Sequence, residues 1–179
     1  MLKFLTGNKN KFFEVQHLLG DLVEQIDIDL PEIQEVDAKK VIEAKLKEAF
    51  KHHPGPFIVE DVFLYMECIN GLPGPLIKWF LETIGNEGLA NLAQKLGNDK
   101  GSVACVIGYA ADAKAIEFFE HRIYGQIVQP RGKGGFGWNP IFQAADSDQT
   151  YAEFQEMTPG ASPLRKEAYG KLKRFLESK

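Results

Sequence analysis

Apolar and polar residues alternate along this chain with two different periods, which predict its strands and its helices. The mostly apolar residues 2–5 predict a short strand, and the apolar run at residues 57–59 has the length and β-branching of a buried strand. Apolar positions three or four residues apart predict one helix that begins near Lys9 and another that follows a cap at Asp37 and ends near His52. Because βα units and hairpins both occur, we expect a mixed α/β fold built on one sheet.

The rest of the pattern adds further strands and helices to this sheet. Alternation over residues 22–30 predicts a second strand, and Phe63 with Tyr65 predicts a short strand before a turn at Asn70-Gly71. Further elements are predicted as follows: helices over residues 76–84 and 87–96, strands over 102–111 and 115–124, and a last helix from about Leu164. We expect residues 1–179 to form a single domain.

The composition is that of a soluble globular protein and excludes several classes of partner. Hydrophobic residues make up 44% of the chain and charged residues 26%, with a net charge of −4. An acidic chain does not suit duplex nucleic acid, and no apolar run approaches the roughly 20 residues of a membrane helix. Cys68 and Cys105 lie in apolar segments, where core thiols of a reducing compartment are expected. We therefore expect a cytoplasmic protein without membrane or nucleic-acid partners.

Two adjacent carboxylates, Glu60 and Asp61, directly follow the apolar run at residues 57–59. Carboxylates at the mouth of a buried strand suit metal binding or proton abstraction, because desolvation and neighbouring charges tune their pKa values. The alternative is a strand end whose acids point into water.

The joint at residues 6–11, with the sequence TGNKNK, resembles a strand–loop–helix phosphate site. Lys9 and Lys11 stand in the first helical turn, where a cation is unfavourable to the helix dipole unless an anion joins it. The alternative is a capped surface helix with solvated lysines. The segment lacks the glycines and the Lys-Ser/Thr ending of a P-loop.

A glycine-rich segment at residues 130–140 presents Phe136 and Trp138 beside two basic residues. Aromatic side chains on such a loop can stack on a nucleobase. They can equally form a hydrophobic lid over the core, and the sequence leaves both interpretations open.

Six motifs occur in an order and spacing similar to those of the inosine triphosphate pyrophosphatase family, and the resemblance covers nearly the whole chain. The motifs are Thr6–Lys11, Asp29–Gln34, Val59–Asp61, Asn70–Pro75 with Ile77–Phe80, Gly135–Trp138 and Gln149–Glu153. The resemblance implies an elongated, curved mixed β-sheet flanked by helices, with two lobes, a central cleft and a homodimeric state. It also implies Mg²⁺-dependent hydrolysis of nucleoside triphosphates, such as ITP, dITP and XTP, to the monophosphate and pyrophosphate.

The resemblance also assigns roles to individual residues. It implies that Asp61, with Glu60 beside it and Lys45, is catalytic, and that Asp61 holds the metal or activates the attacking water. It implies that Glu32 binds or orients Mg²⁺ together with Asp61. Substrate binding is implied at Thr6, Asn8, Lys11, Lys78, Phe136, Trp138, Asn139 and Arg165.

Three positions depart from the family pattern. The family's Ser-His-Arg motif is Pro163-Leu164-Arg165 here, the Asp after the Gly-Phe-Gly-aromatic motif is Asn139, and the small hydroxyl residue after the paired acids is Val62. In the family, the His, Arg and Asp read the 6-oxo edge of the purine. We therefore expect an altered base preference. The alternatives are a nucleotide-binding homologue with little turnover and, third, a structural dimerisation module.

Overall fold

The computed structural model describes residues 1–28, 30 and 33–178. Its strands are β1 Leu2–Leu5, β2 Val23–Ile26, β3 Phe57–Met66, β4 Pro73–Gly74, β5 Lys100–Ala110, β6 Glu117–Ile127 and β7 Phe142–Ala144. Its α-helices are α1 Lys9–Leu19, α2 Ala38–His52, α3 Ile77–Thr83, α4 Gly85–Lys95, α5 Tyr151–Met157 and α6 Pro163–Glu177. None of the helices in this described part of the chain is long and apolar enough to cross a bilayer.

The strands form one sheet that contains both parallel and antiparallel pairs. The order is β2-β1-β3-β5-β6-β7, and β4 pairs with β3 outside this path. Strand β1 runs parallel to both β2 and β3, whereas β6 and β7 are antiparallel. The expected mixed α/β fold is confirmed.

The chain divides into two compact units. The first consists of Met1–Val62, Cys105–His121 and Ser162–Lys179, and the second of Phe63–Ala104 and Arg122–Ala161. Both units draw on segments that are distant in sequence, so each is stabilised by long-range packing.

The core of the first unit is formed by α1, α2 and α6 together with β1, β3 and β5. Phe4, Ile42, Leu46 and Ile58 have no exposed surface. Burial of a side chain of this size stabilises a fold by about 1.5–3 kcal/mol. The apolar stripes predicted for α1 and α2 therefore supply much of this core, and the Asp37 side chain caps α2 as expected.

Strand β3 is longer than the sequence pattern indicates. The runs predicted separately around residues 57–59 and 63–65 are one continuous strand, Phe57–Met66. Glu60 and Asp61 therefore lie within the strand and not at its mouth. The apolar pattern is interrupted at Glu60, although this residue is buried.

Other differences concern short elements. Strand β2 ends at Ile26, earlier than predicted, and β6 begins at Glu117 instead of residue 115. The pattern predicted neither β7 nor α5, which have three and seven residues and are too short to show a period. Helix α5 begins with a capping box in which the Thr150 hydroxyl accepts from the Glu153 N–H and the Glu153 carboxylate accepts from the Thr150 N–H.

Candidate active site

The start of α1 is ordered by the side chains of its own loop. The Asn8 Oδ1 atom accepts hydrogen bonds from the N–H groups of Asn10 at 3.0 Å and Lys11 at 3.1 Å. The Thr6 hydroxyl accepts from the Asn8 N–H at 3.1 Å. Asn8 is therefore the N-cap of α1, and together with Thr6 it fixes the turn on which Lys11 lies.

Asp61 lies between two lysines contributed by two different helices of the first unit. Lys11 on α1 donates to Asp61 Oδ1 at 2.8 Å, and Lys45 on α2 lies 3.5 Å from Asp61 Oδ2. The side chain of Asp61 keeps 25% of its surface exposed. The structure thus brings together three of the predicted site residues around one accessible carboxylate.

Lys11 and Asp61 stabilise each other's charged form. Desolvation raises the pKa of the Asp61 carboxyl, but the positive charges of Lys11 and Lys45 outweigh it and hold that pKa below its usual value. Desolvation lowers the pKa of the Lys11 ammonium, but the charges of Asp61 and Glu60 outweigh it and leave that pKa raised. Both groups are consequently charged at neutral pH.

Glu60 points into the interior and belongs to a buried ion cluster. Arg165 Nε donates to Glu60 Oε2 at 2.8 Å and Arg165 Nη2 to Glu60 Oε1 at 3.2 Å. The Nη1 atom of the same guanidinium donates to Glu14 Oε2 at 2.6 Å. Lys11 Nζ lies 4.0 Å from Glu60 Oε1 and links this cluster to Asp61. Three acids and three cations meet here.

Two members of this cluster were missed by sequence reasoning. Glu14 is buried on α1, three residues after Lys11 and four before Leu18 of the apolar stripe. That spacing places it beside both residues on the helix surface and could have indicated its burial. The Tyr169 hydroxyl is buried, and within the described chain it has no hydrogen-bond partner of normal geometry. Burial and the charge of Glu60 raise its pKa.

Among the carboxylates of this cluster, that of Asp61 is accessible to a divalent metal. Both oxygens of Glu60 are bound by Arg165, so Glu60 is not available as a ligand. Within residues 1–28, 30 and 33–178, no group of three or more His, Cys, Asp or Glu side chains is arranged for a metal. The predicted ligand Glu32 lies outside the described residues. Asp61 alone still fits Mg²⁺, which uses few protein carboxylates beside phosphate oxygens and water.

The other predicted substrate-binding residues belong to the second unit. Lys78 is exposed on α3, with its Nζ atom 5.6 Å from the centre of the Trp79 ring. Trp138 is buried, and its ring centroid lies 5.9 Å from that of Phe142 and 5.6 Å from that of Tyr151. Trp138 therefore packs in the core of this unit.

Phe136 and Asn139 differ in how much surface they expose. Phe136 is half-buried, which leaves part of its ring accessible, whereas Asn139 is buried. The Asn139 Nδ2 atom donates to Gln155 Oε1 at 3.1 Å. Of these two, Phe136 has the more accessible side chain.

Comparison with known proteins decides the family. Residues 2–175 match the model of the Ham1 family. The chain belongs to this family. The resemblance drawn from the six motifs is confirmed, because relatives that match nearly the whole chain are named inosine triphosphate pyrophosphatases.

Two curated relatives of this Ham1-family chain match it over almost its whole length. The inosine triphosphate pyrophosphatase of Schizosaccharomyces pombe is 42% identical over 178 residues, which are 98% of this chain and 94% of the relative. The inosine triphosphate pyrophosphatase of Batrachochytrium dendrobatidis is 37% identical, with the same coverage of 98% and 94%.

Solved structures share the fold. A HAM1 protein from Coxiella burnetii has a TM-score of 0.84 and 24% identity, and the match covers 100% of both chains. The nucleoside-triphosphatase, or dITP/XTP pyrophosphatase, of Mycobacterium abscessus has a TM-score of 0.65 and 25% identity, covering 99% of this chain and 98% of that one.

Proposed function

We propose that this protein is a nucleoside triphosphate pyrophosphatase. It would cleave the bond between the α-phosphate and the β-phosphate of substrates such as ITP, dITP and XTP, releasing a nucleoside monophosphate and pyrophosphate. Membership of the Ham1 family and the names of the relatives support this activity. The observation that carries it is the grouping of Lys11, Asp61 and Lys45, which combines two cations with an accessible carboxylate.

The two lysines would bind the phosphate chain. Phosphoryl transfer needs little covalent chemistry from the protein, so positioning and offsetting of charge supply most of the catalysis. In this structure both lysines pair with Asp61, so a triphosphate has to compete with that carboxylate for them. The resemblance adds Asn8 as a further phosphate ligand, Lys78 as a further positive charge and Thr6 as a substrate-binding residue, and those roles remain proposals.

Asp61 would orient the attacking water. Its pKa is held below the usual value, which makes it an ionised hydrogen-bond acceptor across the neutral range. A carboxylate with a low pKa is a weak base, so we assign Asp61 chiefly to positioning the water and accepting its hydrogen bond. Glu60, which the resemblance places among the catalytic residues, would act by holding Arg165 and the strand beside Asp61.

We propose Mg²⁺ as the metal, held by Asp61 with Glu32 as the second ligand that the resemblance suggests. The partly exposed carboxylate of Asp61, whose oxygens pair with Lys11 and Lys45 in this structure, supports this choice, since Mg²⁺ binds with few protein ligands. When bound, the ion would offset the negative charge of the phosphates and of the leaving pyrophosphate.

We also propose that the protein is a cytoplasmic homodimer. The resemblance supports the dimer, and the free thiols of Cys68 and Cys105 are consistent with a reducing compartment. Light scattering coupled to size exclusion would give the mass of the particle in solution. A particle with the 20.1 kDa mass of one chain would contradict the dimer.

The test of the activity is pyrophosphate release from ITP, dITP, XTP, ATP and GTP with Mg²⁺. Wild type and Asp61→Asn would be compared, with Asp21→Asn as a control because Asp21 is exposed outside the cluster. We expect release by wild type and the control, and a loss of about 100-fold or more in kcat for Asp61→Asn. Tight nucleotide binding by wild type without release would select the alternative of a binding protein.

A further inference from the structure

The glycine-rich segment at residues 130–140 is held against α5 within the second unit. The Arg131 carbonyl accepts a hydrogen bond from the Thr150 hydroxyl at 2.9 Å, and the Lys133 N–H donates to the Glu156 carboxylate. A side chain at Gly134 would collide with the Ala152 carbonyl on α5. This segment is therefore attached to the helix at several points and is not an independent flap.

Two buried side-chain amides connect this segment to the end of α5 by hydrogen bonds that are donated in the same direction. Asn139 Nδ2 donates to Gln155 Oε1 at 3.1 Å, and Gln155 Nε2 donates to the carbonyl of Ala161 at 3.3 Å. Asn139 and Gln155 are both more than nine-tenths buried. A backbone carbonyl can only accept, so Ala161 fixes which end of the Gln155 amide faces Asn139.

The direction of these two hydrogen bonds determines whether residue 139 must donate or accept a hydrogen bond. Gln155 presents its oxygen to Asn139, so residue 139 must donate a hydrogen bond there. Asn can donate, whereas an ionised Asp can only accept and would oppose another acceptor inside the protein. Gln155 therefore accounts for an Asn at residue 139, where the resemblance places the family's Asp.

The same pair supports the loop that carries Phe136. A Cβ atom on Gly135, whose φ is +71°, would touch both the Asn139 Nδ2 and the Gln155 Oε1 atoms. The Asn139 N–H also donates to the Phe136 carbonyl at 3.3 Å. The turn before Phe136 therefore rests directly on the two amides.

We propose that Gln155 is a positioning residue that acts through Asn139 to hold Phe136 for its contact with the nucleobase. Asn139 is then a link in this chain and not a reader of the base. The proposal rests on the proposed function only for the contact between Phe136 and the base.

The first experiment measures stability and needs no activity. Asn139→Leu and Gln155→Leu each leave one buried amide without its partner, and we expect the folding equilibrium constant to fall by about 5-fold to 100-fold. The double variant should lose less than the product of the two single losses. Gln129→Leu is the matched control, because Gln129 donates to Asn91 at the same distance of 3.1 Å on the exposed surface.

The second experiment separates positioning from a purely structural role. At a temperature at which circular dichroism shows each variant folded, Gln155→Leu should raise KM for the triphosphate by about tenfold and leave kcat nearly unchanged. Gln155→Met, which keeps the length of the side chain, replaces Gln155→Leu if the latter does not fold. An unchanged KM in the folded variant would overturn the positioning role.

A third variant tests the direction of the hydrogen bond between residues 139 and 155. Asn139→Asp should lower the folding equilibrium constant at neutral pH at least as much as Asn139→Leu, since it places acceptor against acceptor. Unchanged stability together with a stronger preference for 6-oxo purines would overturn the proposal and make residue 139 a base reader. If wild type releases no pyrophosphate, the proposed function fails. The two stability measurements still test the hydrogen bonds from Asn139 to Gln155 and from Gln155 to Ala161.

Discussion

Arg165 binds both carboxylate oxygens of Glu60, with Nε to Oε2 at 2.8 Å and Nη2 to Oε1 at 3.2 Å. The Glu60 side chain is fully buried, whereas that of Asp61, the next residue on β3, is 25% exposed. Adjacent residues of a strand point to opposite faces, so two neighbouring acids acquire different surroundings. Glu60 is paired with Arg165 inside the fold, and Asp61 faces the two lysines.

The Glu60–Arg165 pair predicts a large loss of stability when one partner is removed. Glu60→Ala leaves the Arg165 guanidinium buried with Glu14 as its remaining carboxylate, and breaking a buried pair in this way costs about 3–5 kcal/mol. Urea unfolding monitored by circular dichroism measures the free energy of unfolding. Glu48→Ala, which removes a partly exposed partner of the exposed Lys51, is the control and should change little. A similarly small change for Glu60→Ala would contradict the role of the buried pair.

Lys11 and Lys45 should contribute to binding through the phosphates. Lys11→Ala and Lys45→Ala are each expected to weaken triphosphate binding by roughly tenfold to 150-fold, because a charge-assisted hydrogen bond contributes about 1.5–3 kcal/mol. Nucleoside binding should be nearly unaffected. Calorimetric titration with a triphosphate and with its nucleoside measures both affinities. Lys47→Ala on the exposed side of α2 is the control, and equal losses for both ligands would place the lysines away from the phosphates.

The Asp61 carboxylate predicts how stability depends on pH. Its pKa is lower in the folded protein than in the unfolded chain, so ionised Asp61 stabilises the fold above the usual Asp pKa of about 3.9. This contribution is lost as the pH falls through the lowered pKa of the folded state. The difference in free energy of unfolding between wild type and Asp61→Asn should therefore be constant from about pH 5 to 8 and shrink below about pH 4. A difference that grows towards low pH would mean that folding raises the pKa of Asp61 instead of lowering it.

The sequence was sufficient to predict the elements whose signal is local. Helices α1 and α2 have regular apolar stripes, α1 begins at Lys9 as predicted, and Asp37 caps α2 as predicted. The six motifs, taken together, were sufficient to identify the family. Lys11 and Asp61 of these motifs meet in space, and Lys45, which the resemblance assigns outside the motifs, lies beside them.

Partners that are distant in sequence could not be predicted in the same way. Nothing local indicates that Glu60 is buried in mid-strand, because the guanidinium that makes this possible lies 105 residues further along the chain. The resemblance suggested that Arg165 reads the base, but its guanidinium binds Glu60 and Glu14 in the structure. Gln155 was missed for the same reason, since its role depends on Asn139 and Ala161, which are brought together only by the fold.

The two cysteines should differ in reactivity. Cys105 is fully buried, and burial together with the charge of Glu60 raises the pKa of its thiol well above the usual value. Since the thiolate is the reactive form, Cys105 should resist iodoacetamide at pH 8 in the native protein. Cys68 is only partly buried, so mass spectrometry should find it alkylated first. Denatured protein, with both sites modified, is the control, and early alkylation of Cys105 would contradict its burial.

The base preference is the property in which this chain should differ most from the family pattern. Leu164 stands where the resemblance places the family's His; it has almost no exposed surface, and its side chain offers no hydrogen bond. The neighbouring Arg165 guanidinium is oriented towards Glu14 and Glu60. The three residues that the resemblance assigns to the 6-oxo edge are therefore replaced or engaged elsewhere, because Asn139 also bonds to Gln155.

We therefore expect weaker discrimination between ITP and ATP than a hydrogen-bonding site gives. Apolar pockets separate related ligands by about 10–200-fold, whereas a site that hydrogen-bonds the distinguishing group reaches about 10⁴–10⁵. The measurement is kcat/KM for ITP, XTP, ATP and GTP on wild type. Leu164→Met, which conserves volume and polarity, should leave the ratios unchanged. A wild-type ratio of about 10⁴ or more for ITP over ATP would mean that other residues read the 6-oxo group, because neither Leu164 nor the guanidinium held by Glu60 accounts for selection of that size.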